Sequence, residues 1–169
     1  STLSIHSFPT RRSSDLVRGS TFGNGKNGSG GNLDTTGPIG DSGLAYRLIV
    51  DHEDEDYWRN FGTHRESMIA PSLAWYGDTT KVVFAYEHRE FLSPFDRGTA
   101  IDPKTNHPLD IPATRRLDEP FNNMEGRSDL YRFEADHELN DDWTAHVGYS
   151  WNRETYDASQ VRIDRKSVV

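Results

Sequence analysis

Between Leu130 and Leu139 the chain changes character at every residue. Tyr131, Phe133, Ala135, His137 and Leu139 alternate with Arg132, Glu134, Asp136 and Glu138. A period of two puts the two sets on opposite faces of an extended strand, and it excludes a helix there. The same rule runs through Leu44 to Glu53, where Leu44, Tyr46, Leu48 and Val50 oppose Ala45, Arg47 and Asp51, and only Ile49 breaks it. From Lys81 to Phe91, Val82, Phe84, Tyr86 and His88 oppose Val83, Ala85, Glu87 and Arg89. From Trp143 to Trp151, Ala145, Val147 and Tyr149 oppose Thr144, His146, Gly148 and Ser150. Met68 to Tyr76 sets Ile69, Pro71, Leu73 and Trp75 against Met68, Ala70, Ser72 and Ala74. Pro71 donates no ladder hydrogen bond, and a bulge is one solution. A chain patterned in this way is all-β, and each strand must sit between two unlike environments.

The ends follow another logic. His6 to Leu16 reads HSFPTRRSSDL, which resembles a translated short-read sequencing adapter, and Asp164 to Val169 resembles the reverse end of one. Residues 1–16 and 164–169 are therefore expected to be non-native tails around a natural segment, 17–163, of a longer gene. The formal net charge is -8, and setting the tails aside leaves 15 basic against 25 acidic residues. That balance argues against a nucleic-acid partner, which needs a basic footprint. The absence of Cys removes disulfides and thiolate metal sites. No run approaches the ~20 apolar residues of a membrane helix. A mean hydropathy of -0.82 is polar, yet a membrane β-barrel shows lipid only every second residue and has polar loops and lumen.

Arg18 to Gly31 holds six Gly and reads as a flexible linker, or as weak strand. Short turns are expected at Gly37–Gly43, Gly77–Thr79 and Asn140–Asp142, where Gly, Pro, Asn and Asp gather. Longer loops are expected at Asp54–Glu66 and Leu92–Gly126, and another after Arg153. Short turns at one end and long loops at the other describe an outer-membrane barrel. Trp75, Tyr76 and Trp143 lie by the short turns, and Tyr57, Trp58, Phe61, Phe91, Trp151 and Tyr156 by the long loops. Two aromatic belts are expected where strands cross two interfaces.

The run from Thr36 to Phe61, TGPIGDSGLAYRLIVDHEDEDYWRNF, resembles an early barrel hairpin of TonB-dependent ferric-siderophore receptors. Ile69 to Trp75, Pro94 to Gly98, and Tyr131 to Trp143 with its Asn140-Asp141-Asp142 turn resemble further parts in the same order. The resemblance implies an antiparallel transmembrane β-barrel fragment, about five or six strands of a 22-stranded barrel, not closed on its own. It also implies a transporter rather than an enzyme, in the outer membrane of a Gram-negative bacterium. The cargo would be a ferric siderophore, with no resident cofactor or metal. The partners would be outer-membrane lipid, a plug domain and TonB. A generic porin or adhesin barrel and a soluble carbohydrate-binding β-domain are the alternatives.

Candidate ligand-binding residues are Phe95, Arg97, His107, Arg115, Arg116 and Phe121, in the long loop. Arginines can pair with an anionic chelate, and aromatics can stack on its rings. Arg47, Asp51, Glu87, Arg89, Arg132, Glu134, Asp136 and Glu138 are expected to face the lumen. The acidic run Asp51–Asp56, interrupted by His52, offers oxygen ligands but lacks a calcium-loop pattern, so it reads as a solvated strand end. His88 and His137 have adjacent carboxylates, but neighbours on a strand point to opposite faces and cannot cooperate. No nucleophile elbow, phosphate loop or HExxH run is present.

Overall fold

The computed structural model describes residues 14–23 and 25–161. They form one antiparallel sheet of seven strands, ordered as in the sequence. The strands are β1 (Ser14–Gly23), β2 (Lys26–Ile39), β3 (Leu44–Asp56), β4 (Thr63–Tyr76), β5 (Thr80–Pro94), β6 (Asn123–Asn140) and β7 (Trp143–Ala158). The sheet does not close: β1 and β7 each pair on one side only. No helix occurs among the described residues. The architecture is that of a segment of barrel wall.

The expected rhythm is present. At one end lie the short turns 40–43, 77–79 and 141–142; at the other lie 57–62 and the long segment 95–122. The first short turn needs its glycines. Gly43 sits at φ +72°, and a Cβ there would come 2.5 Å from the Tyr76 carbonyl oxygen. That carbonyl belongs to the next strand, whose Tyr76 N–H bonds the Gly43 carbonyl at 2.8 Å.

Three expectations are corrected. The glycine-rich stretch is not a linker but the latter part of β1 and the start of β2, which makes seven strands rather than five or six. Its backbone pairs like any other, while its short side chains erase the two-sided signal. At Gly28 the strands approach so closely that a Cβ would lie 2.4 Å from the Glu55 Cβ. There is no bulge at Pro71. The β4–β5 ladder lapses at Ala70 and Pro71 and resumes in the same register, whereas register shifts fall at Thr21/Gly23 and Glu138/Asn140. Finally, the strands run further towards the long loops than the alternation shows. Leu92–Pro94, Asn123–Gly126 and Arg153–Ala158 are strand, not loop. Of the expected tails, residues 1–13 and 164–169 lie outside the described residues, while Ser14, Asp15 and Leu16 pair with Asp34, Leu33 and Asn32.

Register carries each face across the whole sheet, because directly opposed residues point the same way. One face collects Leu44, Trp75, Val82, Ala135 and Val147 in one row, and Tyr46, Leu73, Phe84, Phe133 and Tyr149 in the next. Leu48, Pro71, Tyr86, Tyr131 and Trp151 form a third row. These large side chains are not covered: Tyr46 is 38%, Leu73 43%, Phe84 48% and Tyr149 64% exposed. On β7 the apolar set reaches from Trp143 to Trp151, about 27 Å along the strand at ~3.4 Å per residue. Tilt shortens that height, to a little under the ~25 Å apolar band of an outer-membrane barrel.

The opposite face carries the charges and, unexpectedly, the buried apolar residues. Ile49, Ala74, Val83 and Ala85 are the buried hydrophobics among the described residues, and all four point to this side. Ile49, the exception to its strand's alternation, thus belongs to a small apolar patch that its neighbours shade. Four buried residues are too few to be the core of a domain this size. An uncovered apolar face of this extent marks a surface that something else must cover.

Candidate functional site

The end opposite the short turns holds the most constructed part of the molecule. The 57–62 loop folds back on itself, with Tyr57 N–H donating to the Gly62 carbonyl at 3.0 Å. Gly62 lies at φ +114°, and a Cβ would sit 2.6 Å from Pro94 Cγ and 2.9 Å from Arg116 Nη1. Only a bare backbone lets the long segment close over this loop. Asn60 ties the two together: its N–H donates to the Thr114 carbonyl and its Oδ1 accepts from Arg116 N–H, both at 2.8 Å.

Two buried arginines pin the segment. Arg116 is 3% exposed. Its Nε and Nη2 bond Asp118 at 2.8 and 2.5 Å, its Nη1 the Phe61 carbonyl at 3.0 Å, and its Nη2 also the Asn122 carbonyl at 3.3 Å. Its guanidinium lies over the Phe61 ring at 4.6 Å and the Tyr57 ring at 5.8 Å. Arg59, 7% exposed, meets Asp96: Nη1 bonds Oδ1 at 3.3 Å, and Nε approaches Oδ2 to 3.2 Å. The Nε–H is misaligned with that oxygen, so the contact is ionic rather than a hydrogen bond. Tyr57 Oη donates to Asp96 Oδ2 at 3.0 Å. Burial, and then the Asp96 carboxylate, push the Tyr57 hydroxyl above its ordinary pKa.

The structure sorts the predicted ligand residues. Phe95 and Arg97 come together: the Arg97 guanidinium lies 5.2 Å over the Phe95 ring, its Nη2 bonds Gln160 Oε1, and both line a cleft of about 270 Å³. Leu117, Asn122 and Val161 also line that cleft. His107, Arg115 and Phe121 are exposed elsewhere on the segment, Phe121 at 57%. Arg116 is spent on the framework and presents no free donor to a ligand. Sequence reasoning missed Arg59, Asp96 and Asn122. Nothing in the sequence links positions 59 and 96, and neutral spacing rules cannot pair two loops.

The chain matches the metal-pseudopaline receptor CntO of Pseudomonas aeruginosa. The match to the strain UCBPP-PA14 protein is 29% identical over 115 residues, 66% of this chain and 16% of the relative. The PAO1 protein gives 28% over the same length and shares. The chain thus spans 16% of the length of the curated relatives it matches. No family model matches.

All eight residues expected to face a lumen lie on the charged face of the sheet. Four of them pair, across strands rather than along them. Arg47 grips Asp34 at 2.7 and 3.0 Å. Asp51 accepts from Arg18 at 2.9 Å and Asn32 at 3.2 Å. Arg89 bonds Glu66 at 2.6 Å, and Asp136 meets His146 at 2.6 Å. Glu87, Arg132, Glu134 and Glu138 share the face without joining these contacts. The rest of the acidic run is likewise engaged: Asp54 accepts from Arg65 at 2.7 Å, and Asp56 from the Asn27 N–H at 3.0 Å. The histidines find partners on neighbouring strands. His88 Nδ1 lies 2.8 Å from Asp129 Oδ1, which also accepts from Tyr86 Oη at 2.7 Å, and His137 Nδ1 lies 2.8 Å from Thr80 Oγ1.

Proposed function

We propose that this chain is a wall segment of an outer-membrane β-barrel receptor that imports metal chelates, of the TonB-dependent kind, and that it is not an enzyme. The observation that carries this reading is the two-sidedness of a single-layer sheet. Its large apolar residues lie on an uncovered face, and the pairs Arg18–Asp51, Arg47–Asp34, Arg89–Glu66 and His146–Asp136 lie on the other. Lipid supplies the missing cover on the first side, and a wet lumen suits the second. Strands alone satisfy the backbone in a bilayer only if the barrel closes, so the transporting unit is the full-length protein.

The similarity to a metal-pseudopaline receptor supports a chelated metal as cargo. Within that class we favour a ferric siderophore, taken up with energy passed through TonB and past a plug domain. Phe95 and Arg97, stacked at the 270 Å³ cleft, offer a ring face and a cation of the kind that would suit an anionic chelate with ring systems. The test is uptake of radiolabelled iron and of other labelled metals, each as its chelate, by cells carrying the full-length gene. TonB-dependent uptake of ferric chelates that disappears on gene deletion is expected. Uptake of non-ferric chelates only would sink the siderophore assignment, and TonB-independent leakage of small solutes would point to a porin.

A further inference from the structure

The apolar face does not end in bare loops. It ends in an aromatic row, Tyr86, Tyr131 and Trp151, with ring centroids 4.8 and 5.5 Å apart along the row. The row beyond it holds Ile69, His88, Asp129 and Arg153, and the next holds Ser67, Glu90, Arg127 and Thr155. Aromatic rings followed by cations mark the level where hydrocarbon gives way to headgroups. Arg127 and Arg153 are exposed, and among the described residues neither has a hydrogen-bond or ion-pair partner. By contrast Arg18, Arg47, Arg59, Arg65, Arg89 and Arg116 each meet a carboxylate. The two arginines line, with Ile69, Tyr86, His88, Asp129 and Thr155, a hollow of about 410 Å³.

Acidic groups share this surface, and their placement matters. Asp129 is occupied by Tyr86 Oη and by His88. Glu90 stands at the rim, 66% exposed and 3.5 Å from His88 Nε2. Glu125 and Asp157 lie one row further from the apolar band. The Asp129 carboxylate, which lines the hollow beside the arginines, is thus compensated by Tyr86, His88 and, at longer range, Arg127, and neither arginine is tied up in a salt bridge or hydrogen bond among the described residues.

We propose that this hollow binds the phosphate of an anionic lipid headgroup in the leaflet around the barrel, held by Arg127 and Arg153 with its chains lying along Leu73, Phe84 and Phe133. This rests on the membrane reading above. Guanidinium groups suit phosphate because two N–H donors match two oxygens. A lipid seated there is fixed at a depth that the aromatic row already defines.

The test uses the full-length protein that carries this segment, purified in dodecylmaltoside. Heat-modifiable migration on a gel is checked first. Native mass spectrometry then measures binding of dioleoylphosphatidylglycerol, dioleoylphosphatidylcholine and inorganic phosphate. We expect selective retention of the phosphatidylglycerol, roughly tenfold weaker in R127Q/R153Q and largely kept in R127K/R153K. K104Q, far along the loop, should leave it unchanged. Equal binding of the two lipids, an unaltered affinity in R127Q/R153Q, or full competition by inorganic phosphate would overturn the lipid site. If the protein is heat-modifiable and these outcomes occur, only this inference falls. If it shows no heat-modifiable barrel at all, the membrane reading falls with it.

Discussion

The apolar band of the sheet and the collar formed by 57–62 with 95–122 are stabilised by opposite means. In the band, large side chains such as Phe84 stand 48% exposed, and no other described residue covers them. In the collar, Arg59 and Arg116 are buried, with their charges answered by Asp96 and Asp118. The band depends on its surroundings, whereas the collar is self-sufficient. The difference teaches that a loop can be the rigid part of such a molecule, and a wall the part that borrows its stability.

The sharpest way to break this contrast is to remove a collar arginine. Arg116→Met should cost about 3–5 kcal/mol locally, since Asp118 loses its buried counter-ion. Proteolysis of 95–122 in the full-length protein should accelerate, while the thermal melt of the barrel hardly moves. A global melt that falls in step would show that the collar is part of the wall. Next, Phe84→Arg should cost about 2–4 kcal/mol in a bilayer, read as lost folding yield into vesicles. In a soluble sheet the same half-exposed site would tolerate it, so an unchanged yield would count against lipid as the cover. Phe121→Arg, on an equally exposed collar residue, is the matched control and should be near neutral.

Asp96→Asn comes third, at about 1–3 kcal/mol, because Arg59 then sits buried beside a neutral amide. Faster hydrogen exchange across 57–62 would report it, and unaltered exchange would demote the pair to decoration. Tyr57→Phe is the smallest, about 0.5–1.5 kcal/mol for one lost hydrogen bond. Its pH dependence has a definite sign. The Tyr57 hydroxyl titrates above its ordinary value of about 10 in the folded collar. Its contribution is therefore complete below that unfolded value and fades as pH rises through the folded one. Collar stability in the wild type should decline in strong alkali relative to Tyr57→Phe, as monitored by tyrosinate absorbance against proteolysis.

The band was readable from the sequence because the residues on its two faces differ in kind. Tyr131, Phe133 and Ala135 against Arg132, Glu134 and Asp136 needed no structure to be sorted. Beyond the band both faces carry polar residues, so Asn123–Gly126 and Arg153–Ala158 lose their alternation although their backbone pairing continues. That is why those strand ends read as loops. The glycines of β2 hid a strand for a related reason: a residue without a side chain cannot declare a face. Of the six loop residues singled out for a ligand, Phe95 and Arg97 share a cleft, and Arg116 turned inward. An arginine at the surface and an arginine under a loop are written with the same letter.

Thus the sequence alone determined the strands of the band, the face of each residue and the end at which the turns are short, because these follow from a local period of two and from turn chemistry. Only the tertiary structure decided which charges meet. Arg47 reaches Asp34, His88 reaches Asp129, and Arg59 reaches Asp96 across 37 positions. Such pairs depend on register and on how one loop lies over another, and those are set by the summed fit of many backbone bonds rather than by any local pattern.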